Sequence, residues 1–211
     1  MSNTYGHAYI FSGTRGTGKT STAKIFARAV NCLNNTDGNP CNQCENCLSI
    51  LEDQFIDVVE MDAASNNSVD DIRELREHIK FAPSKGKYKV YIIDEVHMLS
   101  QGAFNALLKT LEEPPEYVLF ILATTELHKI PATILSRCQR FDFKRVSFEE
   151  ILMRLEHICK QLNISYEVEA LKLIIQKSDG AVRDTLSSLD QCLSLKENQI
   201  TVADVVNILG V

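Results

Sequence analysis

The chain has 211 residues, of which 45% are hydrophobic and 24% charged, and its formal net charge is −6. This length and composition are typical of a globular protein with one large or two small domains, and the acidic balance argues against a strongly basic nucleic-acid-binding protein. Because no apolar run is long enough to cross a bilayer and the N-terminus carries no secretory signal, we expect a cytoplasmic protein without a membrane partner.

A glycine-rich stretch follows the first predicted strand, residues 8–11, and fills every position of the phosphate-loop pattern G-x-x-x-x-G-K-[ST]. A predicted helix, residues 19–30, comes directly after it. Glycines let such a loop curl around phosphates with its N–H groups inward, and the helix adds its positive N-terminal end. We expect Lys19 to reach the β- and γ-phosphates and the Thr20 hydroxyl to hold Mg²⁺. The candidate nucleotide-binding residues are Gly13, Thr14, Arg15, Gly16, Thr17, Gly18, Lys19, Thr20 and Ser21.

A polar, cysteine-rich insertion occupies residues 31–47. Four of its cysteines have the spacing C-x8-C-x2-C-x2-C; they are Cys32, Cys41, Cys44 and Cys47. Two-residue spacings let thiolates converge on one tetrahedral ion, so the pattern predicts a structural zinc site in a module at 32–47. An iron–sulfur cluster is the alternative, because C-x2-C-x2-C also begins a ferredoxin run, but residues 48–51 lack the expected fourth cysteine and proline.

An acidic pair ends the third predicted strand, residues 88–94, which is a continuous β-branched and apolar run. A strand at 55–61 and a helix that begins after the N-cap Ser68 precede it. In an open α/β sheet the carboxyl ends of the strands carry the chemistry. We therefore expect Asp94 to hold Mg²⁺, directly or through water, and Glu95 to polarise the water that attacks the γ-phosphate.

Strands and helices alternate through the first part of the chain and then give way to helices alone. The next elements are a helix at 103–113 and strands at 117–124 and 140–143. This alternation predicts an α/β fold with a doubly wound parallel sheet, in a domain of residues 1–146. Beyond residue 143 the sequence shows no strand-like run, so residues 147–211 are expected to form a small all-α domain. Its predicted helices span 147–161, 168–177 and 182–195, with a short fourth opened by Thr201.

Six stretches together resemble the gamma/tau subunits of the bacterial DNA polymerase III clamp loader, a family of AAA+ ATPases. They are the phosphate loop, the four-cysteine module and residues 61–65, 93–99, 105–115 and 136–138. The Ser-Arg-Cys stretch at 136–138 is shared by clamp-loader subunits, and the cysteine module narrows the choice to gamma/tau and delta-prime subunits. Delta-prime subunits usually carry a degenerate phosphate loop, so the intact loop favours gamma/tau.

The resemblance implies three further site residues. Thr125, or as a second choice Thr124, corresponds to a polar sensor of the γ-phosphate. Arg183 resembles the second sensor, an arginine of the helical lid that reaches the phosphates. Arg137 resembles the arginine finger, which completes the active site of a neighbouring subunit.

The resemblance also implies an activity and a set of partners. The chain is expected to bind and hydrolyse ATP to ADP with Mg²⁺, to carry structural Zn²⁺, and to help load the sliding clamp onto primed DNA at the bacterial replication fork. Its expected partners are delta, delta-prime and further gamma/tau subunits, the sliding clamp and primed DNA. A non-hydrolysing, delta-prime-like scaffold and another AAA+ DNA machine, such as a branch-migration helicase, are the alternatives; the intact Lys19, Thr20, Asp94 and Glu95 favour hydrolysis.

Family members carry a segment before the first strand and a C-terminal collar domain, whereas this sequence begins a few residues before its first strand and stops at Val211. We therefore expect a fragment that holds the ATPase and lid domains of the polymerase III holoenzyme subunit. Such a fragment should by itself be monomeric and a weak or inactive ATPase.

Overall fold

The chain forms two compact units in a computed structural model that describes residues 5–195 and 199–210. The first unit comprises Met1–Gly13 and Lys19–Asp142, and the second comprises Thr14–Gly18 and Phe143–Val211. The middle of the predicted phosphate loop therefore groups with the second unit, and the division falls at Asp142, whereas the sequence predicts a boundary after residue 146. None of the described helices is long and apolar enough to cross a membrane.

A five-stranded sheet is the centre of the first unit. Its strands are β1 (Ala8–Gly13), β2 (Val58–Asp62), β3 (Lys89–Asp94), β4 (Val118–Thr124) and β5 (Gln139–Phe143). They lie in the order β2-β3-β4-β1-β5, and the pairs β2–β3, β3–β4 and β4–β1 are parallel. All seven residues of β4 are buried, as a strand covered on both faces should be. The register opposes Ser12 to Thr124 and Asp62 to Asp94, so the polar strand ends share one edge.

Five helices accompany this sheet: α1 (Lys19–Asn31), α2 (Glu45–Leu51), α3 (Val69–Ile79), α4 (Gln101–Glu112) and α5 (Ala132–Leu135). The helix start predicted at Ser68 is confirmed, because its side chain and that of Asp71 form a reciprocal capping box. Helices α2 and α5 were not predicted from the sequence. Each is too short for an apolar period to stand out, and α2 begins within the cysteine-rich module.

A buried carboxylate anchors the loop that leads into β3. Asp57 is 1% exposed and accepts three backbone hydrogen bonds, from the N–H groups of Ser84, Lys85 and Gly86, at 2.8, 2.6 and 2.8 Å. Burial alone would raise the pKa of Asp57, but these three donors, with help from Lys89, hold that pKa below its ordinary value. The loop before β3 is thus fixed to the start of β2 by a charge-assisted cluster.

The second unit contains four helices around its own apolar core. They are α6 (Phe148–Gln161), α7 (Val168–Lys177), α8 (Val182–Leu195) and α9 (Val202–Leu209). The predicted capping box at Ser147 is confirmed, and Thr201 forms another with Asp204. The all-α prediction for this domain was wrong in one detail: two parallel two-residue strands, β6 (Ser165–Tyr166) and β7 (Gln199–Ile200), pair before α7 and α9. Segments of two residues carry no alternating pattern that a sequence could reveal.

Candidate functional site

Lys19 begins α1 at the carboxyl edge of the sheet and is only 6% exposed. Its ammonium group donates to the carbonyl of Gly13 at 2.9 Å, so the side chain folds back over the start of the phosphate loop. Burial lowers the pKa of Lys19, while the carboxylates of Glu95 and Asp94 act in the opposite direction. A buried cation at the start of the phosphate loop is suited to meet a phosphate chain.

Thr20 and Asp94 come together across the first unit although they are far apart in sequence. The Thr20 hydroxyl donates to Asp94 Oδ2 at 2.7 Å, and Asp94 Oδ1 accepts the backbone N–H of Glu95 at 2.8 Å. A hydroxyl and a carboxylate oxygen are hard ligands of the kind that Mg²⁺ prefers. These two predicted magnesium ligands therefore fit the metal in type and proximity.

Glu95 leaves β3 with left-handed backbone angles, φ 45° and ψ 44°, which are uncommon for a residue other than glycine. Its Oε2 accepts from the Thr125 hydroxyl at 3.0 Å and from the Thr125 N–H at 3.4 Å. Thr124, the second-choice sensor, is fully buried, and its hydroxyl contacts His97 instead. Of the two candidate sensor threonines, Thr125 is therefore the one whose side chain contacts Glu95.

Sequence reasoning gave no role to His97 and Glu126, which complete this edge. His97 lies in a single 3₁₀ turn, Val96–Met98, and its side chain is 7% exposed. Its Nδ1 is 3.3 Å from Glu95 Oε2, and its Nε2 is 3.2 Å from Glu126 Oε2. The sequence shows that His97 lies two residues after Glu95. It does not show that Glu126, which follows β4, lies beside His97, because that contact depends on the register of β3 and β4.

The remaining loop residues belong to the second unit. Thr17 caps the turn by donating to the carbonyl of Thr14 at 2.8 Å. Gly16 has φ 76°, a backbone conformation that favours glycine, and a β-carbon there would make a tight contact with Ala181 at 3.3 Å. A cavity of about 200 Å³ is lined by residues 14–17, 145–146, 178–182 and 184. Arg183 lies in the first turn of α8 beside this cavity but is not one of its lining residues.

The other predicted residues to be placed are Ser21, Arg15 and Arg137. Ser21 is exposed in the first turn of α1, and Arg15 is exposed at the tip of the loop. Arg137 follows α5 and pairs with Glu112 at the end of α4, its Nη2 lying 2.8 Å from Glu112 Oε1. The same guanidinium donates to the carbonyl of Thr133 at 2.7 Å, so an acidic partner and a helix end hold it.

The four cysteines of the module converge. Their sulfur atoms all lie within 4.8 Å of one another; the residues are Cys32, Cys41, Cys44 and Cys47. Tetrahedral zinc with Zn–S bonds of about 2.3 Å separates its thiolates by about 3.8 Å, and the Cys32 and Cys44 sulfurs are 4.0 Å apart. Although burial would raise it, hydrogen bonds from the backbone of Leu33 and Cys47 lower the pKa of Cys44 to about 6. The donor set fits a structural zinc ion.

A phosphate loop, an acidic strand end on a parallel sheet and a separate helical unit define a P-loop ATPase fold of the AAA+ class. The solved structure of RuvB from Thermotoga maritima, a Holliday junction branch migration motor, has the same fold. It gives a TM-score of 0.64 at 15% identity and covers 97% of this chain and 61% of its own.

Two family models match the chain in succession. Residues 1–147 match the model described as DNA polymerase III, delta subunit, and residues 150–198 match DNA polymerase III clamp loader subunit, ATPase lid domain. The tau subunit of Bacillus subtilis is 57% identical over 206 residues, covering 98% of this chain and 37% of that protein. The tau subunit of Escherichia coli is 48% identical over 204 residues, covering 97% and 32%.

The chain belongs to the gamma/tau family of DNA polymerase III clamp-loader subunits. It spans about a third of the length of the Bacillus subtilis and Escherichia coli relatives, 37% and 32% respectively.

Proposed function

We propose that this chain binds ATP with Mg²⁺ and hydrolyses it as the ATPase part of a DNA polymerase III clamp-loader subunit. The observation that carries the proposal is the 2.7 Å bond between Thr20 and Asp94, which joins the phosphate loop to the acidic strand end beside buried Lys19. A P-loop ATPase needs these three groups together, since each meets a different part of the phosphate–metal unit.

The binding step is assigned to the loop and to Lys19. Backbone N–H groups of residues 13–18 and the N-terminus of α1 attract the phosphate oxygens. Lys19 exchanges the carbonyl of Gly13 for the β- and γ-phosphates, and its burial strengthens that charge pairing by excluding water. Thr20 and Asp94 would hold Mg²⁺, which when bound neutralises phosphate charge.

The hydrolytic step is assigned to Glu95. A carboxylate at the end of β3 accepts a proton from the water that attacks the γ-phosphate, as general bases do. The two hydrogen bonds that Thr125 donates to Glu95 Oε2 support a role for Thr125 at this carboxylate. We assign it the role of first sensor, and Arg183 of α8 that of second sensor.

Arg137 is proposed to act on a neighbouring subunit as an arginine finger, which is worth about 10³–10⁵ in rate. In the isolated chain its guanidinium is bound to Glu112 at 2.8 Å. Reaching another subunit requires exchange of that exposed ion pair, which costs about 1 kcal/mol or less. The ion pair with Glu112 thus orders the Arg137 guanidinium in the isolated chain but is weak enough to be replaced by a contact with a neighbouring subunit.

The cysteine module is proposed to hold one structural zinc ion through the thiolates of Cys32, Cys41, Cys44 and Cys47. Four sulfur ligands complete a closed tetrahedral shell, so such a zinc stabilises the fold and takes no part in hydrolysis. It would fix the connection between the end of α1 and α2. The clustering of all four sulfurs within 4.8 Å supports this assignment.

The full-length subunit is proposed to assemble with delta, delta-prime and further gamma/tau copies, and to load the sliding clamp onto primed DNA in the bacterial cytoplasm. The support is membership of a family whose relatives are named as DNA polymerase III subunits tau and gamma. The residues 1–146 and 147–211 would be its ATPase and lid domains.

ATP hydrolysis by the full-length protein, assembled with partner subunits, clamp and primed DNA, tests the proposal. Lys19→Ala should abolish nucleotide binding, whereas Glu95→Gln should bind ATP normally and lose hydrolysis by about 10²-fold or more. Lys24→Ala is the matched control, because Lys24 lies on α1 but pairs with Asp53 and Glu60. Clamp-stimulated turnover by Glu95→Gln at the normal rate would remove Glu95 from the mechanism.

A further inference from the structure

A buried histidine links the carboxylate assigned to hydrolysis with a second carboxylate. His97 is 7% exposed, and each of its ring nitrogens faces an acid: Nδ1 faces Glu95 Oε2 at 3.3 Å and Nε2 faces Glu126 Oε2 at 3.2 Å. Burying polar ring nitrogens costs free energy unless they are paired, and an apolar ring would fill the same space without that cost. Packing alone therefore does not explain a histidine at this position.

The ring is also fixed in orientation by Thr124. The hydroxyl oxygen of this fully buried residue lies 3.0 Å from His97 Nδ1 and accepts the backbone N–H of Glu126 at 3.0 Å. Glu126 is in turn paired with Lys129 at 2.7 Å. The imidazole therefore contacts groups from the ends of β3 and β4 and from the turn that follows β4.

The hydrogen bonds and the ion pair that the described residues form with the Glu95 carboxylate involve one oxygen. Thr125 and His97 both approach Oε2, at 3.0 and 3.3 Å. The two hydrogen bonds from Thr125, with the His97 ring beside the same oxygen, fix the plane of the carboxylate and direct the other oxygen, Oε1, away from them. A general base must present one oxygen to water in a defined direction, and about 1 Å of misplacement can cost 10²-fold in rate.

We propose that His97 is a positioning residue for hydrolysis: through Nδ1 it orients the Glu95 carboxylate so that Oε1 meets the attacking water. This inference rests on the proposed ATPase function. His97 itself contacts no phosphate in this mechanism. The left-handed backbone at Glu95, with φ 45°, turns the chain so that His97, two residues later, lies beside the same strand end. The proposed role of His97 therefore explains why this strained conformation is kept.

Substitutions that keep one nitrogen at a time test the direction of the effect in the assembled full-length protein. Asparagine places its amide near Nδ1, and glutamine places its amide near Nε2. His97→Ala should lower kcat by about tenfold or more while the dissociation constant for ATP changes by less than about twofold. His97→Asn should recover most of kcat, and His97→Gln should not. His78→Asn is the matched control, because His78 is exposed on α3.

Imidazole ¹⁵N NMR on the nucleotide-free chain gives a readout independent of hydrolysis. Glu95→Gln should shift the Nδ1 resonance of His97, and Glu126→Gln should shift Nε2. An unchanged kcat in His97→Ala, equal kcat in the asparagine and glutamine variants, or an Nδ1 resonance indifferent to Glu95→Gln would each overturn the inference. If the wild-type protein does not hydrolyse ATP, the proposed function fails, while the NMR shifts still decide whether His97 and Glu95 are coupled.

Discussion

Replacing Asp57 by asparagine should lower the free energy of unfolding by about 1.5–2 kcal/mol. The buried carboxylate accepts three N–H groups, one on Oδ1 and two on Oδ2. An amide oxygen in place of Oδ2 keeps two of these bonds without their charge, and its NH₂ group then opposes the N–H of Ser84. A charge-assisted bond contributes about 1.5–3 kcal/mol, but exposed Ser84 and Lys85 can recover some hydration, so the lower part of the range applies.

The loss of unfolding free energy caused by Asp57→Asn should become smaller as the pH falls. The pKa of Asp57 in the folded protein lies below its ordinary value, so its contribution is complete above the unfolded value of about 3.9 and is lost as the pH falls through the folded pKa. The difference in stability between wild type and Asp57→Asn should therefore be constant from about pH 5 to 8 and shrink below about pH 4.

Urea unfolding followed by circular dichroism, with both proteins measured across this pH range, supplies the test. Asp53→Asn serves as the control, because its carboxylate is 70% exposed, pairs only with Lys24 among the described residues, and should cost less than about 0.5 kcal/mol. Equal losses in the two variants, or a deficit for Asp57→Asn that persists unchanged at pH 3, would refute the assignment of a buried, charge-assisted anchor.

Three further outcomes are expected. Elemental analysis of colourless protein should find one zinc per chain and no iron, and Cys44→Ser should lower the melting temperature more than it lowers turnover of folded protein; brown, iron-containing protein would contradict this. In mixed assemblies Arg137→Ala should leave ATP binding intact and stop hydrolysis at the adjacent site, whereas Glu112→Gln should not; loss confined to the mutated subunit's own site would reject the finger role. Thr125→Val should reduce kcat more than Thr125→Ser, which retains the hydroxyl; equal rates would argue against a sensor.

Signals that are local in sequence predicted the structure well. The helix starts at Ser68 and Ser147 follow from a hydroxyl and an acid three residues apart, and both capping boxes are present. The strand that ends at Asp94 is likewise a continuous apolar run. In each case the residues that determine the feature lie within one or two turns of chain.

Features that depend on distant pairing could not be read in advance. The three N–H groups that bind Asp57 lie 27 to 29 residues further along the chain. No local sequence pattern predicts a contact over that distance. The contact of His97 with Glu126 requires the register of β3 against β4. Thr125 was preferred over Thr124 by resemblance alone. In the structure, successive residues at the end of β4 face opposite ways, so the Thr124 hydroxyl contacts His97 and the Thr125 hydroxyl contacts Glu95.

The strand order has a consequence for how the chain is made. The N-terminal strand β1 pairs with β4, which joins Ala8 to Phe120, so its neighbour is synthesised roughly 110 residues later. At about 5–20 residues per second this takes on the order of ten seconds. During that interval the apolar residues 8–11 have no strand to pair with, and Thr20 has no Asp94 to bind until β3 has also emerged. Nucleotide held by Thr20 and Asp94 therefore cannot assist the early stages of folding, and until β4 has emerged β1 presents unpaired edges that other strands can join.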